Sequence, residues 1–155
     1  MPKVQDGLKV RGSYRLKITE DGKVVGDTGW LYNQVVNLGF NQYLVSTLGA
    51  IAGSKQVSHM ALGTGGAPAA ADTSLSGEVQ KRAAVTAATS STSKTVRFTA
   101  TFNSSDSFVT DTRNLSNVAL VNTSSGGTIF AGNTFASSSC ATNQNVNATY
   151  DITFA

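Results

Sequence analysis

Cysteine, histidine, proline and charged residues are all scarce in this chain of 155 residues. The single cysteine, Cys140, excludes an intrachain disulfide and therefore a small disulfide-stapled scaffold. A Cys/His zinc site needs more ligands than one cysteine and His59 can supply. A Ser/His/Asp triad would have to use His59, which stands beside Met60 in a predicted strand, and the carboxylates show no spacing typical of paired acid and base catalysts. We therefore expect no enzyme activity, no catalytic residue, no metal and no cofactor.

Long apolar runs and a strong charge of either sign are missing as well. No stretch reaches the roughly 18 apolar residues that span a bilayer, and the first residues lack the apolar core of a signal peptide. Charged residues make up 14% of the chain and the net charge is +3, which is mild for a nucleic-acid-binding protein. We expect a protein that assembles in a cytoplasm and binds neither membrane nor nucleic acid.

Alternation of apolar and polar residues with a period of two is the dominant pattern that is present. Residues 8–19, 95–102 and 145–154 alternate cleanly, which predicts half-buried strands. Asp21-Gly22 is a strong hairpin signal, and polar stretches such as ASSSCATNQ are predicted loops. We predict a mainly β fold, an antiparallel, jelly-roll-like β-sandwich formed by residues 1–155 as one domain, in which residues 1–7 are a candidate flexible arm.

One segment, near residues 38–49, has a helical rather than a strand pattern. Phe40, Tyr43, Leu44 and Leu48 recur at helical spacing, which predicts a short α-helix. Gly49 is suited to the end of that helix.

The glycine-rich stretch within ALGTGGAPAAADTSLSGEVQKR, residues 61–82, invites comparison with phosphate-binding loops. A P-loop requires a lysine directly after its glycines, but the next lysine here is Lys81, and Pro68 stands where a dinucleotide fingerprint has its third glycine. We interpret Gly63, Gly65 and Gly66 as a structural turn, where glycine permits positive φ and close backbone approach. Glu78 and Arg82 are four residues apart and would pair on a helix.

Four basic residues, Lys9, Arg11, Arg15 and Lys17, lie on the polar side of the first predicted strand. They are candidate partner-binding residues for an acidic protein surface. A solvated face, gatekeeping on an edge strand, and nucleic-acid binding are the alternatives.

Three aromatic residues raise a further alternative. Trp30, Tyr32 and Tyr43 would stack on sugars if they were exposed together, although aromatic residues more often belong to a core.

Several short motifs, taken in order, resemble a widespread family of virion proteins of tailed bacteriophages. They are Asn37–Phe40, Leu62–Gly65, Asp72–Leu75, Glu78 with Arg82, the strand TVRFTATF, and a Gly-Gly-Thr-Ile-Phe segment before the last strand. The resemblance implies a structural protein without catalytic residues, either a capsid decoration (cement) protein or a tail appendage. We expect a homo-oligomer, a trimer, that binds the major capsid protein on the outside of the head. The alternative is a tail-fibre or tail-appendage component that binds a receptor or a carbohydrate.

Overall fold

The computed structural model describes residue 7, residues 9–89 and residues 94–155. The predicted arm therefore lies outside the described residues except for Gly7. Leu8 of the first predicted strand also lies outside them.

Strands account for most of the regular structure. In chain order they are β1 Val10–Glu20, β2 Lys23–Asp27, β3 Leu31–Tyr32, β4 Gln34–Val35, β5 His59–Gly63, β6 Ala83–Ala84, β7 Thr86–Thr89, β8 Thr95–Phe102, β9 Arg113–Val121, β10 Ile129–Cys140 and β11 Asn145–Phe154. A π-helix, Gly39–Val45, continues into a short α-helix, Ser46–Leu48, and a 3-10 turn covers Ser104–Asp106.

The strands form two antiparallel sheets. Sheet 1 has the order β2-β1-β11-β8-β7, with β3 also paired to β1, and sheet 2 has the order β4-β10-β9-β5-β6. The prediction of a mainly β, antiparallel sandwich with one short helix near residues 38–49 is confirmed. The more specific jelly-roll arrangement stays a prediction.

The inner face of sheet 1 is formed by the apolar positions of the alternating strands. Tyr14 on β1 and Tyr150 on β11 are register partners whose rings stack with centroids 5.4 Å apart. The core cluster that contains them also includes Met60, Leu62 and other residues of sheet 2, so the two sheets share one core. Burial of these side chains is the main stabilising contribution to the fold.

Sheet 2 is buried on both faces because the segment after β5 folds back across its outer side. A second apolar cluster contains Leu75 of that segment together with Ala119, Val121 and Ile129 of sheet 2. The backbone N–H of Ile129 donates to the carbonyl of Thr73 at 3.2 Å, which ties the segment to β10. This double burial explains why β9 is almost continuously buried rather than alternating.

The end of the helix differs from its prediction. Its C-terminal turn uses Ala50 in the left-handed region, at a φ of 48°, while Gly49 has a φ of −92°. The N–H of Ala50 donates to the Thr47 carbonyl and that of Ile51 donates to the Ser46 carbonyl, which is the Schellman pattern. Tyr43 is buried but Leu48 is 92% exposed, so the apolar residues at helical spacing do not share one buried face.

Candidate interaction surfaces

Close packing, not positive φ, requires glycine in the turn after β5. A Cβ on Gly63 would lie 2.8 Å from the Ser76 carbonyl oxygen, and a Cβ on Gly65 would lie 2.5 Å from the same atom. Nothing lies within 4 Å of a Cβ on Gly66. The positive φ of this region belongs to Gly77, at 66°. Gly63 and Gly65 therefore permit the chain at Ser76 to pass against the turn, and Gly66 has no such role.

Two side chains of β9 donate hydrogen bonds to the backbone of the GTGG turn. The Asn117 side chain is fully buried, and its Nδ2 donates to the carbonyls of Gly66 at 3.0 Å and Ser76 at 2.9 Å. The Ser116 hydroxyl donates to the Gly65 carbonyl at 2.8 Å. A phosphate cradle presents free backbone N–H groups, whereas this turn directs carbonyls at protein donors. The geometry favours the structural interpretation of GTGG.

Glu78 and Arg82 do pair, but without a helix between them. Arg82 Nη2 donates to Glu78 Oε2 at 3.0 Å, while Glu78 forms an isolated β-bridge with Gly63. Arg82 Nη1 also donates to the carbonyls of Thr123 and Gly126, at 2.9 and 2.7 Å. The guanidinium therefore fixes the turn before β10 to the segment before β6.

Arg11, Arg15 and Lys17 lie on the outer face of sheet 1 and Lys9 directly precedes β1, but these four basic residues are not equivalent. Arg15 donates two hydrogen bonds to Asp27, at 2.9 and 2.6 Å, and this pairing lowers the pKa of the Asp27 carboxyl below its usual range. Lys17 is the register partner of Asp27. Lys9 and Arg11 are exposed, and among the described residues neither forms an ion pair.

The position of β1 does not favour a role for its cations in blocking unwanted strand pairing, which is the gatekeeping alternative. The strand pairs with β11 along residues 10–19 on one side, and with β3 and β2 on the other side. An edge strand leaves one row of backbone groups unpaired, and β1 is flanked over most of its length. Lys9 and Arg11, which form no ion pair among the described residues, are therefore available for another role.

The remaining outer face of sheet 1 is rich in threonine and asparagine. Thr149 and Thr99 are register partners, as are Asn147 and Thr101. One charged pair interrupts this surface, because Arg97 donates two hydrogen bonds to its register partner Asp151, each at 2.8 Å. Polar uncharged side chains cost less to desolvate than charges, so this face is suited to contact with another molecule.

Two of the three aromatic residues considered for sugar stacking lie at this face. Trp30 is 47% exposed, and its ring centroid is 5.6 Å from the Arg97 guanidinium carbon. Tyr32 is 80% exposed and is the register partner of Ser13, whose side chain shares the outer face. Tyr43 is buried, and its hydroxyl donates to the Thr128 carbonyl at 2.5 Å. The three residues are therefore not exposed together: Tyr43 belongs to the core, whereas Trp30 and Tyr32 do not.

An apolar groove opens beside the helix, at the end of the sandwich core. It has a volume of about 850 Å³ and lies between the helix and the inner face of sheet 1, where its walls include Phe40, Leu44, Val96 and Phe154. Leu48 lines it as well, and Val45 and Ile51 nearby are 64% and 59% exposed. No sequence pattern predicts this surface, because its residues have the apolar spacing of a buried helix.

Comparison with protein-family models, with curated proteins and with solved structures found no match for this chain. Within the described part of the chain, no group of three His, Cys, Asp or Glu side chains is placed to hold a metal ion. The described helices are all too short or too polar to cross a membrane.

Proposed function

We propose that this chain is a structural protein of a bacteriophage virion, specifically a capsid decoration protein that attaches to the outside of the head. The observation that carries the proposal is the apolar groove, whose lining residues Phe40, Val45 and Leu48 are exposed. Contiguous apolar surface of this kind on a soluble chain marks a surface that another protein covers. The motifs that resemble phage virion proteins support the major capsid protein as that partner.

The rest of the surface is compatible with a protein whose function is to bind other proteins. Its outward strand positions are largely threonine and asparagine, and only 14% of its residues are charged. We also propose that the chain acts as a homo-oligomer, a trimer, because several weak contacts to a repeating shell then add up to high avidity. Sedimentation of the purified protein measures that oligomeric state.

Binding to heads tests the proposal. Purified protein is mixed with undecorated phage heads at physiological salt, and the bound fraction is measured after sedimentation. Leu48→Ser should lower the apparent affinity at least about tenfold, since desolvated apolar contacts dominate interface energetics. Leu48 is 92% exposed, so the substitution should leave the fold intact.

Val25→Ser is the matched control. Val25 is 54% exposed on β2, so the substitution also removes an exposed apolar side chain, but Val25 does not line the groove. A failure of the wild-type protein to sediment with heads would refute the decoration proposal. An equal loss in both variants would show that the groove is not the contact.

A tail-fibre or tail-appendage role with a carbohydrate or receptor ligand is the second candidate. The exposed Trp30 and Tyr32 on the outer face of sheet 1 favour it. Antibody labelling of intact virions separates the two locations.

A further inference from the structure

We propose that the outer face of sheet 1 carries a binding site for an acidic saccharide, formed by Trp30, Tyr32, Arg97, Asp151 and Arg11. We refer to these residues as the aromatic platform. The inference goes beyond the decoration function and does not depend on it, because the platform and the apolar groove share no residue.

The register of sheet 1 brings the platform residues together. Tyr32, Ser13, Asp151 and Arg97 are successive register partners across β3, β1, β11 and β8, so their side chains follow one row of the outer face. Ser13 is the small member of that row, between Tyr32 and the Arg97–Asp151 pair. Trp30 approaches the same pair, with 5.6 Å between its ring centroid and the guanidinium carbon of Arg97.

The backbone that presents the two aromatic rings is held on both sides. The Thr28 N–H donates to the Leu16 carbonyl at 3.0 Å, and the N–H of Leu16 donates to the Thr28 hydroxyl at 3.1 Å. Asp27 accepts a further hydrogen bond from the N–H of Gly29 at 2.9 Å. The loop that leads to Trp30 is therefore fixed before any ligand binds.

The end of β3 is anchored through the sheet. The Asn133 side chain donates to the Tyr32 carbonyl at 2.9 Å. Asn33 donates to the Tyr150 hydroxyl at 2.6 Å, and it occupies the space that a Cβ on Gly12 would fill, 1.6 Å from the Asn33 oxygen. Rigid aromatic side chains with few rotatable bonds lose little entropy on binding, which favours their use as contacts.

The chemistry of the platform matches a sugar ring. The apolar face of a pyranose packs on an aromatic ring, while its hydroxyls need neighbouring donors and acceptors. Arg97 retains N–H groups beyond the two bound to Asp151, and its side chain is 52% exposed. The Asp151 carboxylate beside it is 15% exposed and accepts both of those bonds, so this ion pair chiefly supplies oriented donors to a sugar.

The charge of this face selects an acidic saccharide. Its outward cations are Lys9, Arg11, Arg15, Lys17 and Arg97, whereas its carboxylates are Asp27 and Asp151, each already paired with an arginine. Arg11 is exposed, and its register partner Thr153 carries no charge. A sugar carboxylate next to the stacked ring would find Arg11 as a fork-shaped donor.

Intrinsic fluorescence tests the site directly, because Trp30 is the sole tryptophan of the chain. The full chain is titrated with oligosaccharides of hyaluronan, alginate and sialic acid, and separately with chitin oligosaccharides of equal length and with inorganic phosphate. We expect a saturable change with at least one acidic oligosaccharide, at least tenfold weaker binding of the neutral chitin series, and no saturation with phosphate.

Substitutions then assign the contacts. Tyr32→Ala should weaken binding about tenfold, and Arg11→Ala should remove the preference for the acidic over the neutral series. Lys23→Ala is the matched control, since it removes the same charge from an exposed position on β2. Circular dichroism of each variant checks that the fold is retained.

Three results would overturn the proposal. They are a flat titration with every acidic oligosaccharide, a saturable response to phosphate equal to that of the sugars, and an equal effect of Lys23→Ala and Arg11→Ala. None of these results bears on the head-binding test of Leu48→Ser, so either proposal can fail while the other stands.

Discussion

Replacement of Gly65 by alanine tests the role that the structure gives to the GTGG turn. The new Cβ would lie 2.5 Å from both the carbonyl oxygen and the hydroxyl of Ser76. The carbonyl belongs to the backbone and accepts a hydrogen bond from Asn117, so it cannot move away without loss. We expect Gly65→Ala to destabilise the fold without any effect on nucleotide binding.

The magnitude follows from the contacts that must shift. Overpacking of a closely packed site costs about 1 to 3 kcal/mol. Displacement of the turn also strains the bonds from Ser116 to the Gly65 carbonyl and from Asn117 to the Gly66 carbonyl, each worth about 1 kcal/mol. The free energy of unfolding should therefore fall by about 2 to 4 kcal/mol, which lowers Tm by roughly 5 to 15 °C in a domain of this size.

Urea denaturation followed by far-UV circular dichroism measures this change, and Gly66→Ala is its matched control. Gly66 lies in the same turn, but a Cβ there meets nothing within 4 Å, and its φ is not positive. Gly66→Ala should be neutral or stabilise by up to about 1 kcal/mol, because alanine restricts the unfolded chain. A Gly65→Ala variant whose free energy of unfolding lies within about 0.5 kcal/mol of wild type, which is about the error of such measurements, would refute the packing argument. Equal losses of stability in Gly65→Ala and Gly66→Ala would refute it as well.

Three further predictions concern other parts of the chain. Ala50→Gly should raise the free energy of unfolding by about 0.5 to 1 kcal/mol in urea, because alanine is strained at a φ of 48° and glycine is not; a loss of stability would contradict the left-handed turn. Burial raises the pKa of the Cys140 thiol to about 11, so a thiol reagent at pH 8 should label the folded protein at least about 100-fold more slowly than the unfolded protein, and rapid labelling of the native state would contradict its burial. Arg15 lowers the pKa of Asp27 in the folded state, so the stability difference between wild type and Asp27→Asn should be present at pH 7 and shrink as the pH falls below about 4; a difference that grew on acidification would have the wrong sign.

Two strands with one buried face were predictable to the residue. The predicted bounds of β8 and β11, residues 95–102 and 145–154, agree with the structure because each strand exposes alternate residues to water. The serine-rich end of β10 was not predictable. ASSSCATNQ has the composition of a loop, but Ser138 to Cys140 pair with β9 after a register shift. Long-range pairing overrides local propensity at this position.

The candidate surfaces were harder to predict, because exposure depends on what the rest of the chain covers. Leu48 and Trp30 look like core residues in a single sequence, and both lie at the surface since no described element packs over them. Conversely, Asn117 looks like a surface residue within NVALVN, but it is fully buried because the segment after β5 covers sheet 2. Positions where local pattern and tertiary structure disagree are expected to be functional or structurally demanding sites.

The two proposed surfaces lie on opposite faces of sheet 1, so binding at one surface should leave the other exposed. Val96 and Phe98 on β8 face the apolar groove, while Arg97 between them belongs to the aromatic platform, because successive side chains of a strand point to opposite sides. A shell protein in the groove would therefore leave Arg97 and Trp30 open to solvent. If both proposals hold, decorated heads should retain the acidic-saccharide affinity of the free protein, whereas heads decorated with Tyr32→Ala should bind to the same extent and lose that affinity. Masking of the platform on decorated heads would show instead that attachment uses the outer face of sheet 1.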